Sequence, residues 1–314
     1  MIQVSRTPSL GGQPELRRIE CPEPPMALGG QTRRMAYWNW PAAADGDTGH
    51  VVVCVHGLSR QGRDFDVLAR RLQPFVRVVC PDVAGRGHSD WLADAADYQV
   101  PTYAADMLAL LSQLRAEGVH TIDWVGTSMG GLIGMGVAAH PAAALRRLVL
   151  NDVGPSIEPT ALRRIGGYLG VPKRFDSIEA GAHYLLGISH GFGPHTDGEW
   201  LDLSTPMFRF EDGACVLHYD PRIAEPFKTM NDAIALETVA QGEVLLWHIY
   251  EHITSPTLVL RGADSDLLSL STAQAMAERG PRARCVSFEG VGHAPTLVPT
   301  GQVDVVVSFL MDAA

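Results

Sequence analysis

Six short apolar segments constrain the fold of this chain more than any other feature of its sequence. The clearest covers residues 50–57 (HVVVCVHG), a β-branched run that ends at a glycine. Similar runs recur at residues 77–87, 121–128, 146–154, 255–266 and 283–293. A strand that is apolar on both sides lies inside a sheet whose two faces are covered, which is typical of parallel strands.

Helical segments fall between these predicted strands. Residues 103–117 place apolar side chains at helical spacing, and Gly118 follows as a C-terminal stop. Further helices are predicted at residues 129–139, 272–279 and 302–312. The alternation of strands and helices predicts an α/β fold with a mostly parallel sheet and helices on both faces.

This alternation is interrupted once. Residues 153–250 hold Gly, Pro and aromatic clusters and some amphipathic helix, but no strong buried strand. We predict a core made of residues 34–152 and 251–314, with residues 1–33 as a loosely packed lead-in. The segment 153–250 is predicted to be a helical cap, or lid, over the carboxyl edge of the sheet. Its apolar residues would cover that edge: Tyr168, Phe175, Tyr184, Leu185, Leu186, Phe192, Trp200 and Phe208.

The composition limits the partners and the location of the protein. A net charge of −10 disfavours nucleic acid as a partner, because an acidic surface repels phosphates. The sequence has no apolar run of about 18 residues, so we expect no membrane span. It also begins without the apolar region of a secretory signal. The five cysteines lack metal-ligand spacing, so we expect no metal and a cytoplasmic location. The oligomeric state stays open.

The strongest motif is the pentapeptide Gly126-Thr127-Ser128-Met129-Gly130, which matches G-x-S-x-G. It follows a predicted strand and precedes a predicted helix. A sharp strand-to-helix turn exposes the serine hydroxyl and leaves no room for side chains two residues before or after it, so both positions are glycine. The motif therefore predicts Ser128 as a nucleophile.

Two further segments supply the remaining groups that acyl transfer requires. Backbone N–H donors must stabilise the oxyanion, and we assign them to Met129, which follows the serine, and to Leu58 in the segment His56-Gly57-Leu58. His293 follows the last predicted strand on a glycine-flanked loop, from which it can reach Ser128 as general base.

The acid that orients His293 is not decided by one motif. The order Ser, Asp, His along the chain expects it after the penultimate strand, where residues 262–268 read GADSDLL. We prefer Asp266, because the two leucines after it can anchor the turn. Asp264 and Asp152 are the alternatives, since the strand end at Asp152 also faces the site.

Together these segments resemble the α/β-hydrolase superfamily, in its capped subgroup of esterases, lactonases and carbon–carbon bond hydrolases. The resemblance covers about residues 35–312, and it rests on HGL at 56–58, DVAGRGHSDW at 82–91, GTSMGG at 126–131, RGADSD at 261–266 and GVGHAP at 290–295. The second of these resembles the family's structural D-x-x-G-x-G-x-S loop. In one respect the chain departs from the family: the acid commonly lies three residues after the glycine, where this sequence has Ser265.

The resemblance implies a carboxylic ester hydrolase that forms an acyl-enzyme on Ser128, acts on a small or medium, partly apolar molecule and needs no cofactor. Relatives with an aspartate nucleophile are disfavoured by this serine. A carbon–carbon bond hydrolase of a dienoate-type diketone is one alternative, although such members carry HGxGPG where this chain has HGLSRQG. A carboxylate-binding arginine would favour it, but we expect Arg60 and Arg63 to face solvent. A non-catalytic ligand-binding protein is the other alternative.

Overall fold

The apolar runs of the sequence form the centre of a large β-sheet in the computed structural model, which describes residues 12–23, 32–43, 46–228 and 232–312. Each central run is a short strand bounded by turns. The strands are β1 (Glu15–Cys21), β2 (Arg33–Trp40), β3 (Asp47–Val55), β4 (Val76–Pro81), β5 (Thr121–Thr127), β6 (Arg147–Asn151), β7 (Arg174–Phe175), β8 (Phe208–Glu211), β9 (Ala214–Leu217), β10 (Thr257–Gly262) and β11 (Arg284–Phe288).

Helices connect these strands, and the four that the sequence predicted are present with ends that differ from the prediction by at most three residues. None of those in the described part of the chain is long and apolar enough to cross a membrane. The helices are α1 (Asp66–Leu72), α2 (Val100–Ala116), α3 (Met129–Ala138), α4 (Pro159–Tyr168), α5 (Ile178–Ile188), α6 (Asp197–Ser204), α7 (Glu225–Lys228), α8 (Asp232–Glu251), α9 (Leu270–Glu278) and α10 (Thr300–Met311).

The main sheet has eight strands in the order β1-β2-β4-β3-β5-β6-β10-β11. From β4 to β11 all neighbours are parallel, whereas β2 pairs antiparallel with both β1 and β4. The predicted fold class, a mostly parallel sheet covered by helices, is therefore confirmed. Because β5, β6 and β10 are adjacent, the loops that follow them emerge side by side at the carboxyl edge.

Alternate residues of β3 enter two different cores, which explains why its apolar run is continuous. Val51 and Val53 belong to a core that includes Met107 of α2, whereas Val52 and Cys54 belong to one that also holds residues of α1 and α10. Since successive side chains of a strand point to opposite faces, a strand covered on both sides needs apolar residues at every position.

The structure corrects the description of residues 1–33 as a loosely packed lead-in. Within that segment, Glu15–Cys21 forms the edge strand β1 and pairs with β2 along its whole length. Only Ile19 and Cys21 of this strand are buried. Because an edge strand at the margin of the core buries few residues, its apolar pattern is too weak to identify from the sequence.

The insertion between β6 and β10 contains α4 to α8 and a small antiparallel sheet in the order β7-β9-β8, which the sequence did not predict. Its strands have only two to four residues, so they carry too little pattern to detect. Trp200, Phe208 and Cys215 are buried together in a separate core of the insertion. The insertion therefore packs as a structured unit and not as a long loop.

The glycines of the turn between β5 and α3 allow a direct test of the packing. A Cβ atom at Gly130 would lie 2.0 Å from the carbonyl oxygen of Val55, whereas one at Gly136, on the same helix, would meet nothing within 4 Å. We expect Gly130→Ala to lower the free energy of unfolding by at least about 2 kcal/mol. Gly136→Ala should raise it by roughly 0.5–1 kcal/mol, since Ala restricts the unfolded chain. Denaturant unfolding measures both values, and equal midpoints for the two variants would contradict this account.

Candidate active site

Ser128 lies on the sharp turn that joins β5 to α3. Its backbone has φ 52° and ψ −117°, a conformation that is strained for any residue other than glycine. The turn is held because the Ser128 N–H donates to the carbonyl of Asn151 at 2.9 Å and the Ser128 carbonyl accepts from Gly131 N–H at 2.8 Å. The hydroxyl consequently projects from the carboxyl edge of the sheet.

His293 connects Ser128 to a buried carboxylate. Its Nε2 lies 2.9 Å from Ser128 Oγ, and its Nδ1 lies 2.7 Å from Asp152 Oδ2. The His293 side chain is 10% exposed and that of Asp152 is fully buried. When the ring is neutral and Nδ1–H donates to this carboxylate, Nε2 carries no proton and faces the serine hydroxyl. This arrangement can remove the proton from Ser128 Oγ.

Asp152 is held in place by donors from the neighbouring strand. The N–H of Gly262, at the end of β10, donates to Oδ1 at 2.9 Å, and Ser265 Oγ donates to Oδ2 at 2.6 Å. These contacts are available because Leu260 of β10 pairs with Asn151 of β6, the residue just before Asp152. The carboxylate therefore has hydrogen-bond donors on both oxygens, which fix its orientation toward His293.

The structure corrects the preference for Asp266 as the partner of His293. The Asp266 carboxylate binds Arg164, accepting from Nε at 2.6 Å and from Nη2 at 2.9 Å, and it is 41% exposed. Asp264 is exposed as well. Among the described residues, neither carboxylate forms a hydrogen bond with the imidazole of His293, and the alternative Asp152 occupies that position. Ser265 stands where the resemblance expects an acid, and this substitution was the sequence signal that the acid lies elsewhere.

The N–H groups of Leu58 and Met129 are candidates for binding an oxyanion. In the part of the chain that the structure describes, neither N–H has a hydrogen-bond acceptor. The carbonyl of Gly57, which shares a peptide bond with the Leu58 N–H, accepts a hydrogen bond from His56 Nδ1 at 2.7 Å. This hydrogen bond on the carbonyl side of the peptide group therefore fixes the direction of the Leu58 N–H.

His56 is fully buried, and hydrogen bonds at both of its ring nitrogens fix one tautomer. Burial lowers the pKa of its imidazole to about 3, so the ring is neutral at physiological pH. Its Nε2 accepts a hydrogen bond from Val83 N–H at 2.9 Å, which leaves the proton on Nδ1 to be donated to Gly57. His56 was predicted only as part of the segment His56-Gly57-Leu58, and its hydrogen bond to the Gly57 carbonyl was not predicted.

A cavity of about 90 Å³ lies above Ser128 and His293. The core supplies one side of it, including Leu58, and the insertion supplies the other with Ile165, Tyr168, Leu185, Met207, Leu217 and Tyr219. Of the apolar residues expected to cover this edge, Tyr184 and Phe192 also line the cavity. By contrast, Phe175, Trp200 and Phe208 pack within the core of the insertion, and Leu186 is 47% exposed.

The insertion also contacts the loop that carries His293. Gly292 N–H donates to the carbonyl of Gly191 at 2.7 Å, and His195 Nε2 lies 2.8 Å from Thr296 Oγ1. Arg60 lines the cavity and is 8% exposed, so the expectation that it faces solvent is wrong. Its guanidinium is paired with the Asp64 carboxylate at 2.7 and 2.8 Å. An arginine neutralised in this way is a poor anchor for a substrate carboxylate.

Comparisons with known proteins agree with this architecture. The model of the "Alpha/beta hydrolase family" matches residues 52–305. The curated 3-hydroxybutyrate-oligomer hydrolase of Cupriavidus necator is 45% identical over 97% of this chain and 100% of its own length.

Two solved structures share the fold. A putative hydrolase from Rickettsia typhi has a TM-score of 0.81 and 26% identity, with 96% of this chain and 100% of that chain covered. An alpha/beta hydrolase from Novosphingobium aromaticivorans has a TM-score of 0.76 and 33% identity, covering 95% and 98%. The predicted resemblance is thereby confirmed.

Proposed function

This chain is a hydrolase that belongs to the alpha/beta hydrolase family, and we propose that it cleaves carboxylic esters through an acyl-enzyme on Ser128. The observation that carries the proposal is the continuous hydrogen-bonded series from Ser128 Oγ through His293 to Asp152, beneath a cavity. A serine and a histidine in contact, with the histidine oriented by a third group, are the requirement for an activated nucleophile.

In the proposed mechanism, Ser128 Oγ attacks the ester carbonyl carbon while its proton passes to His293 Nε2. The N–H groups of Leu58 and Met129 stabilise the oxyanion of the tetrahedral intermediate. When the intermediate collapses, the ester C–O bond breaks and His293 returns the proton to the leaving alkoxide. Water then attacks the acyl-enzyme with the same histidine as base, which releases the acid and restores the serine. Asp152 stabilises the imidazolium at both stages.

As substrates we propose short oligoesters of 3-hydroxybutyrate. This choice is supported by the 45% identity to the C. necator hydrolase over nearly the whole chain. The cavity of about 90 Å³ is far smaller than the 300–1,000 Å³ typical of pockets for drug-sized ligands, which favours a short acyl group over a fatty acyl chain.

We also propose that residues 153–250 form the lid of this site. The residues that the insertion contributes to the cavity, and its hydrogen bond to the His293 loop, support this role. A lid of this kind excludes bulk water from the oxyanion and thereby strengthens its hydrogen bonds. A cytoplasmic location is part of the same proposal and is supported by five cysteines that all remain free.

A panel of substrates tests the proposal. We expect hydrolysis of 3-hydroxybutyrate dimer and trimer and of p-nitrophenyl butyrate, with kcat/KM at least about tenfold lower for p-nitrophenyl octanoate. A dienoate-type diketone should not be cleaved, and its cleavage in preference to the esters would establish the carbon–carbon hydrolase instead.

Two adjacent leucines of α5 provide a matched test of the lid. Leu185 is 6% exposed and lines the cavity, whereas Leu186 is 47% exposed. Leu185→Trp should raise the ratio of kcat/KM for p-nitrophenyl acetate over butyrate at least about fivefold, because the larger side chain narrows the acyl pocket. Leu186→Trp should leave the ratio unchanged. If the two variants behave alike, the insertion does not shape the acyl pocket.

A further inference from the structure

Arg86 is a buried cation that the proposed mechanism does not use. It is fully buried, and its hydrogen-bond partners in the part of the chain that the structure describes are uncharged. Its Nε donates to the carbonyl of Leu58 at 2.8 Å, and its Nη1 donates to the carbonyl of Ala84 at 2.7 Å and to Tyr103 Oη at 3.0 Å. Its Nη2 lies 3.7 Å from the sulfur of Met129.

No carboxylate in the described part of the chain neutralises this guanidinium. The neighbouring Tyr98 donates a hydrogen bond from its hydroxyl to the carboxylate of Asp220, but this carboxylate is already paired with Arg222 at 2.7 Å. By contrast, the buried Arg33 does have a carboxylate partner, Asp106. Burying a charge without a counterion is costly. The presence of a buried arginine at this position must therefore be explained by the groups that surround it.

Arg86 contacts both of the residues whose N–H groups are proposed to bind the oxyanion. It bonds the carbonyl of Leu58 and contacts the side chain of Met129. The peptide before the Leu58 N–H is already held through Gly57 by His56. Arg86 holds the peptide that follows. Leu58 is thus fixed on both sides, and the direction of its N–H is determined.

The loop that carries Arg86 is itself rigidly held. Asp82 accepts hydrogen bonds from Gly62 N–H at 2.8 Å and from His88 N–H at 2.9 Å, and Gly87 N–H donates to the carbonyl of His218 at 2.9 Å. The guanidinium is consequently a preorganised charge, which needs no rearrangement as the reaction proceeds.

We propose that Arg86 is a positioning residue for the oxyanion hole, which fixes the Leu58 N–H and contributes an unneutralised positive charge behind the developing oxyanion. The inference rests on the proposed serine mechanism. Because the negative charge exists only in the tetrahedral intermediate and the transition states beside it, the charge of Arg86 should act on kcat far more than on KM. In a water-excluded interior its field is weakly screened.

Three variants test this role by steady-state hydrolysis of p-nitrophenyl butyrate. Arg86→Met removes the charge and should lower kcat by between about 10-fold and 100-fold with little change in KM, which is less than the loss of a direct oxyanion donor. Arg86→Lys retains the charge and should keep at least about fivefold more activity than Arg86→Met.

Arg147→Met is the matched control. Arg147 is also a buried arginine, and among the described residues its Nη1 donates to the carbonyls of Phe309, Leu310 and Asp312 at 2.7–2.9 Å. It lies at the opposite end of β6 from Asp152. Its loss should lower stability and leave kcat of the folded protein unchanged. Thermal unfolding and far-UV circular dichroism are followed for all three variants, so that activity is expressed per folded molecule.

Inhibition by butylboronic acid separates positioning from a merely structural role. Boronic acids form a tetrahedral anionic adduct with an activated serine, so their inhibition constant should rise in Arg86→Met by the same factor by which kcat/KM falls. An unchanged inhibition constant, or a kcat within about twofold of the parent in folded Arg86→Met, would overturn the proposal. If Arg86→Met does not fold, Arg86→Lys is measured alone. An unchanged kcat and an unchanged boronate affinity in Arg86→Lys would overturn the proposed role of the hydrogen bond from Arg86 to the Leu58 carbonyl.

Ser128→Ala is assayed in parallel. An active Ser128→Ala enzyme overturns the proposed function itself. An inactive Ser128→Ala beside a normal Arg86→Met overturns only the role of Arg86, so the two failures are distinguishable.

Discussion

Replacing Ser128 by alanine is expected to reduce kcat for ester hydrolysis by a factor on the order of 10⁴–10⁶ while the fold is retained. The size of the effect follows from the contact between Ser128 Oγ and His293 Nε2 at 2.9 Å: without the hydroxyl, the base has no nucleophile to activate. The strained backbone at φ 52° tolerates alanine no worse than serine, so the variant should unfold near the parent temperature.

The measurement combines kinetics with covalent labelling. A fluorophosphonate probe, located by peptide mass spectrometry, should modify Ser128 in the parent enzyme and no residue in Ser128→Ala. Ser59 is the matched control, because it lines the same cavity and has no hydrogen bond to His293 among the described residues. Ser59→Ala should retain labelling and most of the activity. Labelling at Ser59, or normal turnover by Ser128→Ala, would refute the assignment of the nucleophile.

Replacing Asp152 by asparagine is expected to lower kcat on the order of 10⁴-fold. An amide at this position can donate to Nδ1 of His293, which stabilises the tautomer that carries its proton on Nε2. A protonated Nε2 cannot accept the proton of the Ser128 hydroxyl. The amide also removes the negative charge that stabilises the imidazolium. The 2.7 Å contact between Asp152 Oδ2 and His293 Nδ1 is the basis of this expectation.

Asp266→Asn is the matched comparison for this carboxylate. Asp266 is 41% exposed and is paired with Arg164, so its replacement should change kcat by less than about threefold. Activity against p-nitrophenyl butyrate is measured for both variants at several pH values, with thermal unfolding as the control for folding. A larger loss in Asp266→Asn than in Asp152→Asn would reverse the assignment of the acid.

The sequence by itself determined the strands of the core, the turn at Ser128 and the loops at Leu58 and His293. These features are encoded locally. A strand buried on both faces must be apolar at every position, and a sharp turn must have glycine where a side chain would collide. A Cβ atom at Gly126 would lie 2.2 Å from the carbonyl oxygen of Gly130, so this residue choice is dictated within a few positions of Ser128.

Only the tertiary structure decided which carboxylate reaches His293. Asp152, Asp264 and Asp266 all follow strands that end at the same edge of the sheet, and their spacing along the chain does not show where each side chain points. The pairing of β6 with β10 brings Gly262 N–H and Ser265 Oγ to Asp152, while α4 of the insertion brings Arg164 to Asp266.

The same reason accounts for the other features that the sequence did not predict. Strand β1 can be identified only from its pairing with β2, because its own apolar pattern is weak. The short strands of the insertion can likewise be identified only from their pairing with one another. Arg86 lies in a loop whose glycines suggested only a structural turn. Its contact with Leu58 joins residues 28 positions apart, and such a contact exists only after the strands have assembled, because it depends on sheet order and not on local pattern.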